Sequence, residues 1–280
     1  MFKLHHLSLC LVVGISAASI SHFITKTVQG ANPSAHKQFL NLEQSNTPQV
    51  LIGANTNSEP LMVNSVSGDI LVEVPDELIQ SALADDTGYK QYFLSQVYKE
   101  GTHIVPRDLV QYDEWLSLAV DKGYEPALYE LGLQSKATFS YHEREQSLSY
   151  FARAAKKGHA ESQYELALAY YYGDVVDQDY QAAYYWFSKA SDKGFADASY
   201  RMGLMHNLGK GMPVNPGKAM TLFAKASELD HAEAQYVLGI GYFRGVGVER
   251  DYEVARSWLK KSMQGGNVEA WKALRNINVI

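Results

Sequence analysis

Hydrophobic residues in the stretch 230–265 recur at helical spacing in two blocks, which are separated by a short polar segment that contains glycine. Leu238 and Tyr242 lie about one helical turn apart in the first block, and Ala255 and Leu259 do so in the second. Apolar residues at intervals of three and four are typical of amphipathic helices. The stretch therefore predicts two helices joined by a tight connection.

The polar segment has the residues that such a connection needs. Its sequence is RGVGVERD, in which Gly245 and Gly247 can adopt positive φ and Asp251 can cap the second helix. A single helical hairpin cannot bury its own apolar face. Such a hairpin therefore requires neighbours stacked against it.

The neighbours are present as copies at a nearly constant period. The junction residues that begin successive copies are 35, 35, 36, 36 and 36 residues apart. These junctions are Gly88, Gly123, Gly158, Gly194, Asp230 and Gly266. Regular spacing of this length predicts a repeat architecture.

Equivalent positions in the copies hold residues of similar size. In the second helix a bulky residue recurs at Trp115, Tyr150, Trp186, Leu222 and Trp258. A small residue recurs after it at Ala119, Ala154, Ala190, Ala226 and Ser262. The first helix has one small position, occupied by Gly132, Ala167, Gly203 and Gly239. The bulky residue is expected to pack in the core, and the small residue of the first helix predicts a close helix crossing.

This spacing and these residues resemble the Sel-1-like repeat, a relative of the tetratricopeptide repeat. The family pattern is approximately A-x-x-x-L-G-x-x-Y-x-x-G-x-G-V, followed by D, A, W, two Ala and G. The copy 230–265 matches it at Ala234, Leu238, Gly239, Tyr242, Gly245, Gly247, Val248, Asp251, Ala255, Trp258 and Gly265. The first three copies depart from the pattern at their loops but keep its register. The resemblance implies an all-α fold, an α-solenoid of stacked antiparallel helix hairpins with about five and a half repeats.

The copies and the segments that flank them divide the chain. We predict a capping helix over 76–87, repeats over 88–122, 123–157, 158–193, 194–229 and 230–265, and a terminal half repeat over 266–280. The segment 26–75 is rich in Asn, Ser, Pro and Gly and is predicted to be a flexible linker. Two β-prone stretches in it, VLIGA and DILVEV, leave open a short hairpin or pairing with a partner's edge strand.

The first 25 residues have the features of a signal peptide. Lys3 supplies a positive charge, an apolar run covers residues 7–18, and Ser16 and Ala18 form a small-x-small cleavage site. An uncut segment of this length would instead anchor the chain in a membrane. We therefore expect an exported, periplasmic protein, either cleaved or anchored to the inner membrane. The single cysteine, Cys10, lies in this segment, so the repeats contain no disulfide.

Composition and motifs argue against several functions. The net charge of −6 provides no basic patch for a nucleic acid. The sequence HEREQ at His142 lacks the second histidine of a zinc motif, because Gln146 stands in its place. Ser257 and Lys260 have the S-x-x-K spacing of penicillin-recognising enzymes but fall within the repeat pattern. We therefore predict no catalytic residue, no metal site and no cofactor.

The resemblance implies protein or peptide partners, commonly in envelope assembly, polysaccharide export, motility or host interaction. We expect a non-catalytic protein–protein interaction scaffold of the bacterial cell envelope that binds its partner on the concave face. Two alternatives remain open, a cell-wall-active or penicillin-binding-like enzyme of the same family and a secreted effector acting on a host. The cysteine-free repeats argue against the first, because the family members that resemble penicillin-binding proteins are disulfide-rich.

The first helix of each repeat is expected to line the binding face. At one equivalent position it has a tyrosine in four copies, namely Tyr129, Tyr164, Tyr200 and Tyr236. These rings either offer contact area to a peptide or pack between repeats. Less regular polar residues are the better candidates for specificity, and these are Arg201, His206, Asn207 and Arg244.

Overall fold

The computed structural model describes residues 63–64, 70–71, 74–102, 105–138 and 140–277. The predicted signal peptide or anchor and most of the predicted linker lie outside these residues. The chain divides into two compact units, residues 1–122 and residues 123–280. The division of the chain predicted above stays a prediction.

Two short strands precede the helices. β1 (Val63–Asn64) pairs antiparallel with β2 (Ile70–Leu71), with Val63 opposite Leu71. The β-prone stretch DILVEV thus contributes its residues Ile70–Leu71 to a pair with 63–64. The other β-prone stretch, VLIGA, lies outside the described residues.

The first unit contains a short helix followed by one helical hairpin. α1 (Asp76–Leu83) is followed by hairpin 1, which consists of α2 (Tyr89–Glu100) and α3 (Leu109–Asp121). Leu78 of α1 packs in one core with Phe93 of α2 and Trp115 of α3. α1 therefore covers apolar surface of this hairpin.

The second unit contains four hairpins and one further helix. Hairpin 2 is α4 (Glu125–Lys136) with α5 (Tyr141–Lys156), and hairpin 3 is α6 (Ala160–Tyr172) with α7 (Tyr180–Asp192). Hairpin 4 is α8 (Ala196–Leu208) with α9 (Pro216–Ser227), and hairpin 5 is α10 (Ala232–Arg244) with α11 (Tyr252–Gln264). The last helix is α12 (Val268–Ile277). Each helix of this unit packs against the next in sequence, which confirms the predicted all-α solenoid of antiparallel hairpins.

The connection within hairpin 5 has the predicted geometry. Gly245 and Gly247 have φ of 74° and 72°, values that residues with a Cβ rarely adopt. The Asp251 carboxylate accepts hydrogen bonds from the Glu253 and Val254 backbone N–H groups, at 2.9 and 3.0 Å. This cap satisfies two N–H groups that the first turn of α11 leaves without helical partners.

The small position of the first helix is a point of close contact with the second helix. A Cβ added at Gly239 would lie 2.7 Å from Cγ of Leu259. Added Cβ atoms at Gly132 and Gly203 would each lie 2.6 Å from a phenyl carbon, of Phe151 and Phe223 respectively. Real Cβ atoms do not approach other heavy atoms this closely, so the predicted close crossing is present in these hairpins.

The main core residue of the second helix lies one position after the predicted one. Trp186 and Trp258 are only half-buried, whereas Phe187 and Leu259, which follow them, are 0% exposed. The expected core packing is thus present at Trp115 and Leu222, whereas the indoles of Trp186 and Trp258 pack against the edge of the core and do not fill it. The helical period allows either of two adjacent residues to face inward. In these hairpins the second of the two, Phe187 or Leu259, packs against the small residue of the first helix.

Hydrogen bonds at two junctions of the second unit hold a hairpin to the one before it. The buried Gln235 of α10 donates from its amide to the Ser227 carbonyl at the end of α9, at 3.2 Å. Gln163 of α6 donates in the same way to the Ala155 carbonyl of α5, at 3.1 Å. Buried amides that pair with carbonyls at helix ends fix the relative placement of hairpins, because breaking them would leave unsatisfied polar groups.

The last helix repeats the first-helix pattern. Ala270 and Leu274 of α12 are buried, in phase with Ala234 and Leu238 of α10. Both pack with Leu259 of α11, so α12 covers the end of hairpin 5. Among the described residues, no helix combines the length and the apolar character needed to cross a bilayer.

Candidate partner-binding face

The four tyrosines of the predicted series occupy equivalent places on α4, α6, α8 and α10. Tyr164 packs on Phe187 of its own hairpin and on Phe195 of the next, with ring centroids 5.5 and 5.0 Å apart. Tyr200 packs in the same way on Phe223 and on His231, at 5.7 and 4.6 Å. These two rings therefore link successive hairpins.

The other two members of this tyrosine series have a similar role. Tyr236 packs against the core formed by Leu259, Ala270 and Leu274. Tyr129 contacts Phe151 of its own hairpin and His159 of the next, at 5.9 and 5.0 Å. Of the two alternatives left open, packing between repeats thus accounts for most of the ring area, although each ring keeps an exposed part.

The environment of Tyr129 disfavours loss of its proton. Burial and, to a smaller extent, the negative charges of Glu165 and Glu161 raise the pKa of Tyr129 to about 12. The phenol is therefore a neutral hydrogen-bonding group throughout the physiological range.

Arg201 is held by tyrosines of the preceding hairpin. Its Nε donates to the Tyr164 hydroxyl at 3.3 Å, and a terminal nitrogen donates to the Tyr172 hydroxyl at 3.4 Å. Burial raises the pKa of the Tyr164 phenol, and the bond from Arg201 opposes that rise. Arg201 therefore serves first as a link between hairpins 3 and 4.

His206 lies against a different tyrosine. One of its ring nitrogens, Nε2, is 3.2 Å from the Tyr184 hydroxyl, and the two rings meet edge to face at 5.5 Å. Its other nitrogen, Nδ1, is buried and has no partner among the described residues. Burial, with a smaller contribution from the charge of Lys218, lowers the pKa of His206, so its ring is neutral at physiological pH.

Asn207 and Arg244 line the same cavity, between hairpins 4 and 5. The cavity has a volume of about 180 Å³. Its walls include Asn207, Pro216, Met220, Phe223, Gly241 and Arg244. Both Asn207 and Arg244 are exposed, and among the described residues neither forms a hydrogen bond or ion pair. This hairpin 4–5 cavity is an apolar recess with an amide and a guanidinium group available in its wall.

The structure thus separates the candidate residues into groups with different surroundings. Arg201 and Tyr164 contact each other, His206 contacts Tyr184, and only Asn207 and Arg244 share a recess. Sequence reasoning did not identify the recess itself. Its signal was Gly241, because the equivalent position in the preceding copy is Met205.

The two histidines at equivalent junctions are helix caps. Nδ1 of His159 accepts from the Ser162 backbone N–H at 3.3 Å, and Nδ1 of His231 accepts from the Ala234 N–H at 3.1 Å. Within the part of the chain that the structure describes, no group of three or more His, Cys, Asp or Glu side chains is arranged to hold a metal ion.

Comparisons with known proteins agree with the repeat architecture. The family model described as Sel1 repeat matches five segments, which together make up more than half of the chain. These are residues 91–124, 126–159, 160–195, 196–231 and 232–267. No curated protein sequence matches the chain.

Solved structures with a similar fold include two bacterial proteins. A Sel1 repeat protein from Oxalobacter formigenes is 23% identical over 73% of this chain and 78% of its own, with a TM-score of 0.62. The protective antigen c5321 of uropathogenic Escherichia coli strains, which displays an SLR fold, is 26% identical with a TM-score of 0.53. That alignment covers 73% of this chain and 52% of the antigen, so this chain spans about half of the antigen's length.

Proposed function

Because this chain belongs to the Sel1 repeat family, whose members are typically protein–protein interaction scaffolds, we propose that it is a non-catalytic scaffold that binds a protein or peptide partner through its first-helix face. The binding region that we favour on this face is the hairpin 4–5 cavity. The observation behind this choice is that Asn207 and Arg244 line one recess without any partner among the described residues.

The other polar candidates are less available to a partner. Arg201 would have to give up its bonds to Tyr164 and Tyr172 before it could bind an external group. Arg244, by contrast, loses no internal bond when a partner carboxylate approaches. Free binding groups beside an apolar recess are the usual composition of a recognition site.

Export is part of the proposal and rests on the N-terminal sequence. Lys3 and the apolar run over residues 7–18 support passage of the N-terminus through a membrane, followed by cleavage or anchoring. The partner would then be a component of the cell envelope. A catalytic role is not proposed, because Ser257 and Lys260, which have the S-x-x-K spacing, fall within the repeat pattern of α11.

An affinity capture from envelope extract tests the proposal. The wild-type chain is used as bait beside the Arg244→Ala chain and, as a matched control, the Arg250→Ala chain, because Arg250 is an exposed arginine of the neighbouring loop that does not line the cavity. We expect Arg244→Ala to lower the yield of the main partner about two- to five-fold, as loss of a partly exposed ion pair would. Arg250→Ala should leave the yield unchanged.

Two outcomes would contradict the proposal. One is that no protein is recovered with the wild-type bait above the level of beads alone. The other is that Arg244→Ala, shown by circular dichroism to be folded, recovers the same partner in the same yield as the wild-type chain. In the second case the binding surface must be sought in the segment before Pro75.

A further inference from the structure

Consecutive interfaces between hairpins can be compared position by position in this chain. The helices of hairpins 3 and 4 begin at residues 160, 180, 196 and 216, so residues 36 apart in the two hairpins are equivalent. The same offset relates α8 to α10. The interface between hairpins 3 and 4 therefore shows what normally occupies the place of the hairpin 4–5 cavity.

At the interface between hairpins 3 and 4, this place is filled by large side chains of the protein itself. Tyr171 packs edge-on against Tyr180 and against Phe187, with ring centroids 5.4 and 6.4 Å apart. Met205 lies in the same cluster and is 0% exposed. Two aromatic rings and a methionine side chain thus close this interface.

At the interface between hairpins 4 and 5, the equivalent residues are smaller than these side chains or differ from them in shape. Asn207 stands in place of Tyr171, Pro216 in place of Tyr180, and Gly241 in place of Met205. The aromatic residue that remains is Phe223, which is equivalent to Phe187. The Met220 side chain lies directly against Gly241 and fills part of this space, and a cavity of about 180 Å³ remains beside it. An apolar cavity of ~150 Å³ is large enough to bind benzene, so this one can admit a phenyl ring.

The charge beside the cavity is positive. At the position of Leu208 in the preceding copy, the cavity has Arg244, which forms no ion pair with any described carboxylate. Burial lowers the pKa of His206, the neighbour of Asn207 in sequence, and the nearby positive charge of Lys218 lowers it further. A negatively charged ligand group is therefore favoured here, and a planar carboxylate fits the guanidinium fork.

We infer that the hairpin 4–5 cavity binds an aromatic side chain of a partner peptide, with a neighbouring carboxylate of that peptide paired to Arg244. The inference rests on the proposed function, since it specifies the partner's chemistry at the same site. The ring takes the place that Tyr171 and Tyr180 occupy one repeat earlier, against Phe223 and Met220. The Asn207 amide donates to and accepts from the peptide backbone beside the ring.

Synthetic tetrapeptides test this inference by nuclear magnetic resonance on the full chain labelled with ¹³C at its methionine methyl groups. The probe is acetyl-Ser-Phe-Glu-Ser-amide, compared with peptides in which Ala replaces Phe or Gln replaces Glu. We expect the probe to shift the Met220 methyl signal and to leave that of the fully buried Met205 in place. Replacing Phe should weaken binding about tenfold or more, and replacing Glu about two- to five-fold.

Variants of the protein supply the matching test. Asn207→Tyr restores the ring found at Tyr171 and should abolish the shift of the Met220 signal by the probe. As a control, Leu208→Tyr adds a ring at an exposed neighbour that does not line the cavity, and the shift should remain. Arg244→Ala should make the Glu and Gln peptides bind equally. Arg250→Ala should retain their difference.

The following results would overturn the inference. The first is that the Ala peptide binds as tightly as the Phe peptide. The second is that the probe still shifts the Met220 signal in Asn207→Tyr. The third is that vesicles of phosphatidylglycerol shift the Met220 signal and no peptide does. If the wild-type and Asn207→Tyr chains capture the same envelope partner equally, this inference fails while the proposed function stands. If the wild-type chain captures no partner, the proposed function fails, and the peptide titration still decides what the cavity binds.

Discussion

Gly203 of α8 lies directly against the ring of Phe223 in α9, so that a Cβ at position 203 would come within 2.6 Å of the ring. We predict that Gly203→Ala destabilises the protein, because overpacking a core typically costs ~1–3 kcal/mol, more than the ~1 kcal/mol that alanine gains over glycine in a helix. Urea denaturation followed by circular dichroism measures the change. Gly217→Ala is the matched control, because a Cβ there would have no contact closer than 3.6 Å. Equal stability of the two variants would contradict the close crossing.

The second prediction concerns which aromatic residue of α7 holds hairpin 3 together. Phe187→Ala should cost ~3–5 kcal/mol, as expected for removal of a fully buried phenyl ring. Trp186→Ala should cost clearly less, because the indole is only half-buried. Chemical denaturation of both variants under the same conditions gives the comparison. A larger loss for Trp186→Ala would show that the indole is the core residue.

These two cases show how far the sequence predicts the fold. The small residue at Gly203 was predictable, because one position in four successive copies is held by glycine or alanine. The recurring register predicts Trp186 as the core residue and does not single out its neighbour Phe187. A period of 3.6 residues does not distinguish two adjacent large residues that flank the inward direction. Which of the two residues faces the core depends on the small residue of the first helix at the crossing. That contact joins two different helices, so the pattern within one helix does not contain it.

The candidate site was less predictable for a similar reason. Arg244 and Asn207 were identified as polar residues that the repeat does not require. Their common recess depends on the packing of α8 against Pro216 of α9 and Gly241 of α10. Arg201 had the same appearance in the sequence, and its engagement by Tyr172 follows from the stacking of hairpin 4 on hairpin 3. The residue pattern within one repeat is enough to predict a hairpin. The candidate binding site instead depends on contacts between two neighbouring repeats, at positions where their residues differ.

The third prediction concerns alkaline pH. The pKa of Tyr129 is raised to about 12 in the folded protein, from an ordinary value of 10.0. The folded state therefore keeps this proton while the unfolded state loses it, so stability from this group is present below pH 10.0 and is lost as pH rises toward about 12. In Tyr129→Phe, stability should fall less steeply over this range than in the wild-type chain. Identical slopes, measured by denaturation at several pH values, would contradict the shift.

The fourth prediction concerns the N-terminal segment, which lies outside the described residues. From Lys3 and the apolar run over residues 7–18, we expect the chain to be exported. Cell fractionation with N-terminal sequencing of the mature chain separates a cleaved leader from an anchor. A chain that keeps its N-terminal segment and stays in the soluble cytoplasmic fraction would contradict export.

Site-specific photo-cross-linking in intact cells tests most directly that the partner binds at the hairpin 4–5 cavity. A photoreactive phenylalanine derivative is placed at Val246, which lines the cavity and is 46% exposed, or at Tyr185, which is 53% exposed on α7 and outside the cavity. We expect a covalent adduct with the partner from position 246, which is lost when Asn207→Tyr is added, and no adduct from position 185. An adduct from position 185 with none from position 246 would contradict binding at the hairpin 4–5 cavity.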